Sequence, residues 1–273
     1  AGQYDAVLCD VWGVIHDGRD VYPRAAGALR RVRAAGLAVV LVTNMPRPSS
    51  TMPRALARLG FPDDAWDAVV TSGDVIRADL AERAPGPVLR LGRSTDKGLW
   101  DDLGLTFVDD MAEASFVAMA GLNSDNETPD HYAPALRAAR ERDLELLCAN
   151  PDLQVSSGNR LLWCAGSVAA MYESMGGRVV QSGKPHDPIY DQALALVAGL
   201  LGRHVPADRV LAIGDGIGTD LPGASAHGLD SVFIASGMHG DALLDGRQVD
   251  LSKVQAALDS GGTTATYVMP ELA

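Results

Sequence analysis

Long apolar runs are missing from this chain. No stretch approaches the roughly 20 residues needed to cross a bilayer. The opening AGQYDAVLCD has no basic region leading into an apolar run, so no secretory leader is read. Cations are also scarce: 23 Lys and Arg stand against 35 Asp and Glu, a formal charge of −12. A surface of that sign repels nucleic-acid phosphates and anionic lipid, which argues against both as principal partners. An anionic substrate then needs a cation placed locally. Cysteine is rare, and Cys9, Cys148 and Cys164 form neither a short-spaced metal pair nor an even disulfide set. Each lies in an apolar stretch, which predicts buried free thiols and a cytoplasmic location.

What is present is an ordinary globular composition, 47% hydrophobic and 21% charged, too apolar for a disordered chain. Short apolar runs alternate with amphipathic helical patterns, the signature of a doubly wound α/β fold with a parallel sheet. Strands are expected over 6–9, 37–42, 68–70, 210–213 and 231–234, with helices over 25–35, 49–59 and 187–201. The middle of the chain has its own rhythm: strands at 88–91, 116–120, 144–148 and 161–164, and helices near 134–142 and 167–175. The organisation predicted is a Rossmann-like core, 1–71 and 179–273, interrupted by a smaller α/β cap, 72–178. An insertion of this kind places a ligand cleft between the two units.

Four segments put polar residues directly after an apolar strand, where open α/β sheets bind ligands. In AVLCDVWGVIHDG, Asp10 ends the strand and Gly13 permits a tight turn. LAVVLVTNMPRPS carries Thr43 and Asn44, VVQSGKPHDPIYDQAL carries Lys184, and RVLAIGDGIGTDLPGA carries Asp215 and Asp220. Alone, each reads as a cap, a turn or a solvated lysine. Together they gather three carboxylates, an ammonium and a hydroxyl. Crowded carboxylates raise one another's pKa values unless neutralised. A hard cation with oxygen ligands, Mg²⁺, is the natural partner of such a set and of a substrate phosphate. A carboxylate beside it can attack phosphorus. The spacing of GDGIGTD is not that of a dinucleotide-binding glycine turn.

These residues resemble the haloacid dehalogenase-like hydrolase superfamily over nearly the whole chain. The TN at 43–44, GKP at 183–185, GDxxxTD at 214–220, NPD at 150–152 and the insertion point resemble its class IIA phosphatase branch. The resemblance implies a phosphoric monoester hydrolase acting on a phosphorylated small molecule through an aspartyl phosphate. Asp10 would be the nucleophile. Mg²⁺ would be held by Asp10, the backbone carbonyl of Trp12, Asp215 and Asp220. Thr43 and Asn44 would hydrogen-bond the phosphoryl group, and Lys184 would neutralise charge. The cap would read the leaving group, with Asn150, Asp152 and Ser167 as candidates. Ser167 is either an anion contact at a helix start or an N-cap. Trp163 either stacks on a ligand or fills the cap core, with the core favoured. The branch also implies a homodimer through the cap, its apolar face supplied by 116–120 and 144–148 or kept for the cap's own core.

The departure from the family pattern is Trp12, which stands where its phosphatases carry a second Asp as general acid and base. Indole donates one N–H and accepts no proton near neutral pH. Losing such assistance costs about 10²–10⁴ in rate. Three readings follow, in this order: a slow phosphatase, a non-catalytic phospho-ligand sensor or scaffold, and a metal-independent dehalogenase. The Asp215/Asp220 pair argues against the last. Trp12 also suits an apolar wall for substrate. His16 and Asp17 read first as turn or surface residues, and second as a substitute acid.

Overall fold

The computed structural model describes residues 2–94, 96–158, 160–238 and 240–273. Its strands run in chain order as β1 (Ala6–Cys9), β2 (Ala38–Thr43), β3 (Ala68–Thr71), β4 (Val88–Leu91) and β5 (Phe107–Val108). Then come β6 (Phe116–Met119), β7 (Glu145–Cys148), β8 (Gln154–Ser157), β9 (Arg160–Trp163) and β10 (Arg178–Gln181). The chain ends with β11 (Val210–Gly214), β12 (Asp230–Ile234), β13 (Leu244–Asp245), β14 (Gln248–Val249) and β15 (Tyr267–Met269). A six-stranded sheet of order β15-β12-β11-β1-β2-β3 forms the core, and every pairing in it is parallel. The chain winds outward in both directions from the β1–β11 junction, so that junction is the topological switch point.

Side-chain alternation along β1 and β2 serves two layers. Val7, Cys9, Val39 and Leu41 face the helices Ala25–Ala34 and Met52–Leu59 through Leu29, Met52 and Leu56. Ala6, Leu8, Val40 and Val42 face the helix Asp187–Leu201 through Ile189, Tyr190 and Val197. Both strands are buried throughout, as sheets covered on two faces require. The helix expected from Ser49 is a 3₁₀ turn over Ser49–Thr51 followed by α-helix from Met52. Pro53 falls in the first α turn, where its missing N–H leaves no bond unmade.

The second sheet, β10-β7-β6-β4-β5, is likewise parallel. It is packed on one face by Leu136, Val168 and Tyr172 and on the other by Ile76, Leu80 and Trp100. The unit therefore extends through Gln181, past the expected boundary at 178, because β10 pairs with β7 and not with the core sheet. Residues 116–120 and 144–148, expected as one source of a self-association face, are, apart from the partly exposed Glu145, buried inside this unit's own layers. The segment expected as a strand at 161–164 is not in the sheet. β9 pairs antiparallel with β8 as a separate hairpin, with Leu161 and Trp163 substantially exposed. The edge strand β15 escaped the sequence reading. Cys9, Cys148 and Cys164 are buried and free. Among the described residues no helix is long and apolar enough to cross a membrane.

Tyr172 anchors the helix Ala165–Ser174 in the smaller unit: it is fully buried, and its hydroxyl donates to the Leu144 carbonyl at 2.6 Å. Tyr172→Phe keeps the ring and strips that carbonyl of this donor. Denaturant titration should show a loss of about 1–2 kcal/mol; an unchanged midpoint would mean that the bond contributes nothing.

Candidate active site at the carboxyl ends of the core strands

Asp10 directly follows the fully buried β1, and its N–H donates to Ile213 O at 2.8 Å, extending the β1–β11 ladder by one rung. The side chain is thereby fixed at the switch point, 6% exposed. The loop must next pass Asp215 at close range. Gly13 makes that passage possible: its φ is +87°, and a Cβ there would lie 2.1 Å from Asp215 Oδ2. Lys184 approaches from the segment before the Asp187–Leu201 helix. Its ammonium donates to Asp10 Oδ1 at 2.5 Å and to Asp220 Oδ1 at 2.7 Å. Asp215 accepts the Met238 N–H at 2.6 Å, and Asp220 accepts the Gly216 N–H at 3.0 Å.

One carboxylate oxygen from each of Asp10, Asp215 and Asp220 lies within 4.8 Å of the others. All three are buried, against the single ammonium of Lys184. Burial holds the Asp10 carboxyl well above the ordinary range; Lys184 pulls it back, and Asp220 and Asp215 push it further up. Asp215 is pushed up to about 7 by burial and then by Asp220. Burial disfavours the Lys184 ammonium, yet Asp10 and Asp220 outweigh it and hold its pKa well above the usual value. The all-oxygen donor set and its excess of negative charge fit a hard divalent cation.

Between the two units lies a cavity of about 310 Å³, whose lining begins at Val11 and Trp12, directly after Asp10, and does not include Asp10, Lys184, Asp215 or Asp220 themselves. Thr43, Asn44 and Trp12 line it from the core, and Asn150, Asp152 and Trp163 from the smaller unit. Thr43 ends β2 and accepts the Met45 N–H at 3.3 Å. The Asn44 side chain is engaged within the protein. Its amide donates to Asp152 Oδ1 at 2.8 Å and to Lys184 O at 3.0 Å, while its carbonyl accepts the Lys184 N–H at 2.7 Å. It is a clamp on the lysine loop and the cap, with both ends of the amide engaged. Asp152 is raised by burial, against the bond from Asn44. Asn150 holds the turn by accepting the Asp152 N–H at 3.0 Å.

Ser167 is neither an N-cap nor a wall of this cavity. It lies inside the helix Ala165–Ser174, and its hydroxyl donates to Cys164 O at 2.6 Å. Trp163 is 41% exposed and faces the cleft, where the cap core was favoured for it. Among the described residues of the two hairpin strands none is fully buried.

Trp12 spans the two units. Its Nε1–H donates to Ser156 O on β8 at 2.6 Å. The ring meets His16 edge-on, with centroids 5.2 Å apart, and lies over Gly18, where a Cβ would stand 2.4 Å from the indole. His16 itself is 5% exposed and no surface residue. Its Nδ1 accepts the Gly18 N–H at 2.9 Å, which assigns the proton of the neutral ring to Nε2. Burial pulls its pKa down to about 4, against the Asp17 charge. Sequence reasoning missed Arg47, Arg93 and Asp96, which line the same cavity. Arg47 sat in view beside the TN pair, but nothing in the sequence brings Arg93 or Asp96 to it.

Family models match two parts of the chain: haloacid dehalogenase-like hydrolase over 7–106, and HAD-hydrolase-like over 181–259. A haloacid dehalogenase-like hydrolase from Brucella suis 1330 superposes with a TM-score of 0.88 at 40% identity, covering 99% of this chain and 96% of that one. D-glycerol 3-phosphate phosphatase of Mycobacterium tuberculosis is 27% identical over 88% of this chain, which spans 65% of that relative. Ribonucleotide monophosphatase NagD of Escherichia coli K12 is 26% identical over 85% of this chain and 88% of its own length.

The depressed pKa of His16 carries a pH signature. As pH falls from about 6.5 to about 4, the unfolded chain takes up this proton before the folded one, so the histidine subtracts stability across that window. Asn at 16 retains an acceptor and does not titrate. Wild-type stability minus that of His16→Asn should decline by up to about 3 kcal/mol between those pH values. A difference that stays flat with pH contradicts the buried neutral ring.

Proposed function

This chain belongs to the haloacid dehalogenase-like hydrolases, and as one of them, we propose, it is a phosphoric monoester hydrolase of small phosphorylated metabolites. The observation that carries the reading is the convergence of Asp10, Asp215, Asp220 and Lys184 at the β1–β11 switch point, with Val11 and Trp12, which directly follow Asp10, lining the neighbouring cavity together with Thr43. In this reading Asp10 attacks phosphorus in line, its free oxygen forming the new bond as the ester oxygen departs. Lys184 holds the Asp10 carboxylate in place and offsets the charge that gathers there. The Thr43 hydroxyl orients a phosphoryl oxygen. Mg²⁺ fits the residues Asp10, Asp215, Asp220 and the backbone carbonyl of Trp12, and would neutralise phosphate charge when bound. Phosphoryl transfer asks for little beyond such positioning and charge stabilisation. The three buried free thiols support a reducing, cytoplasmic setting.

Position 12 governs how fast the cycle closes. The indole supplies no base for the water that must cleave the aspartyl phosphate. His16 does not fill the role, since Gly18 occupies its Nδ1 lone pair and Nε2 carries the proton. The bond from Trp12 to Ser156 also holds the hairpin against the site. These two facts favour a second reading, in which the chain retains the phosphorylated state and acts as a slow or single-turnover phosphate sensor.

Release of 4-nitrophenol from 4-nitrophenyl phosphate tests both readings, because this leaving group departs without a proton. Turnover should require Mg²⁺, stop with EDTA and vanish in Asp10→Asn. Trp12→Asp should raise the steady-state rate by a sizeable part of the about 10²–10⁴ that general acid–base assistance supplies. A single burst of product per site in the wild type selects the second reading. Release that persists in EDTA would sink both.

A further inference from the structure

The mechanism leaves one cluster of the cavity unused. Arg47 lies four residues beyond Thr43 in the core, whereas Arg93 and Asp96 follow β4 in the smaller unit. Asp96 is 1% exposed and sits between the two guanidiniums. Arg47 Nε donates to its Oδ1 at 2.7 Å, and Arg93 Nε stands 3.3 Å from its Oδ2. Arg47 is thus oriented by a hydrogen bond through Nε, and Arg93 by the ionic contact, its Nε and Asp96 Oδ2 making no hydrogen bond among the described residues. Their Nη groups make no hydrogen bond among the described residues, and the side chains are 48% and 42% exposed where they line the cavity. Arg93 lies flat against Gly121, where a Cβ would stand 2.7 Å from its Nη2.

A purely structural ion pair between the two units needs one arginine. Two guanidiniums on one buried carboxylate leave a surplus positive charge, with fork ends unoccupied, in a chain whose formal charge is −12. Paired guanidinium forks suit planar anions, which they bind bidentately. Of the other carboxylates on the cavity, Asp152 is turned to Asn44, and Asp125 stands exposed at the rim. Both the phosphoryl floor at Thr43 and the arginine pair line one small cavity, so a single compact molecule reaches both.

We propose that Arg47 and Arg93, oriented by Asp96, bind a second anionic group on the leaving portion of the substrate, so that the preferred substrates are small phosphomonoesters carrying a carboxylate or another acid. This inference rests on the phosphatase reading and narrows its substrate class. The family relatives named above act, by name, on glycerol phosphate and ribonucleotides, neither of which requires a second acid on the leaving portion.

The test uses the whole chain with Mg²⁺ and a pair of non-hydrolysable probes, phosphonoacetate and ethylphosphonate, which differ in the carboxylate. Calorimetry should find phosphonoacetate bound about tenfold to a hundredfold more tightly, the range expected of charge-assisted hydrogen bonds. Arg47→Gln and Arg93→Gln should each move that ratio toward one, and Arg93→Lys should restore only part of it. A wild-type ratio near one overturns the proposal without any variant and leaves the phosphatase reading intact. A ratio that survives both substitutions overturns it too, and melting curves then report the pair as a structural tie. Failure of both probes to bind, together with no hydrolysis of 4-nitrophenyl phosphate, overturns the phosphatase reading and this one with it.

Discussion

Asp10, Asp215 and Asp220 are crowded at the end of two adjacent strands, and a protein interior resists that arrangement. Each carboxylate loses its hydration on burial and repels its neighbours, and Lys184 cancels only part of the excess. The cluster persists because rigid surroundings hold it. Two central strands buried on both faces present Asp10 and Asp215, backbone N–H groups of Gly216 and Met238 meet the carboxylates, and Asn44 grips the lysine loop by both ends of its amide. The favourable packing of the two layers sustains an electrostatic strain that protonation relieves in part, as the raised pKa values of Asp10 and Asp215 record. In the proposed reading a cation entering with a phosphate ester would relieve it too, and the affinity for both would arise from the same imbalance.

That imbalance explains why so much of the site was legible in the sequence. Fully apolar strands of four to six residues announce a two-sided parallel sheet, and the first polar residue after each marks its carboxyl end. Asp10, Thr43 and Asp215 follow from that logic; Lys184 instead comes three residues after β10, a strand of the second sheet, and the order of the motifs points to where the second unit is inserted. What escaped was set by contacts distant in sequence. Asn44 reads as a phosphate contact until Asp152, more than a hundred residues away, is seen at its amide. Ser167 follows a loop and resembles a cap, but the helix begins at Ala165 and leaves it inside the first turn. Trp163 looks like core because its neighbours are apolar, yet none of the described residues in the two hairpin strands carrying it is fully buried. The meeting of Arg47 with Arg93 and Asp96 joins two units and has no periodic signal.

Trp12 belongs to both categories. Its identity was visible as a departure from an expected carboxylate, while its new occupation was not. The indole N–H is spent on the hairpin carbonyl of Ser156, and the ring fills the gap above Gly18 beside a neutral, buried His16. Position 12 here links the two halves of the molecule.

The fit of that ring over Gly18 couples the two positions. With the indole in this rotamer a Cβ at 18 would overlap it, and the backbone there, at φ +89°, already disfavours a side chain. What position 18 tolerates is thus set twice over: a smaller residue at 12 would lift the overlap and leave the backbone's own preference for glycine in force.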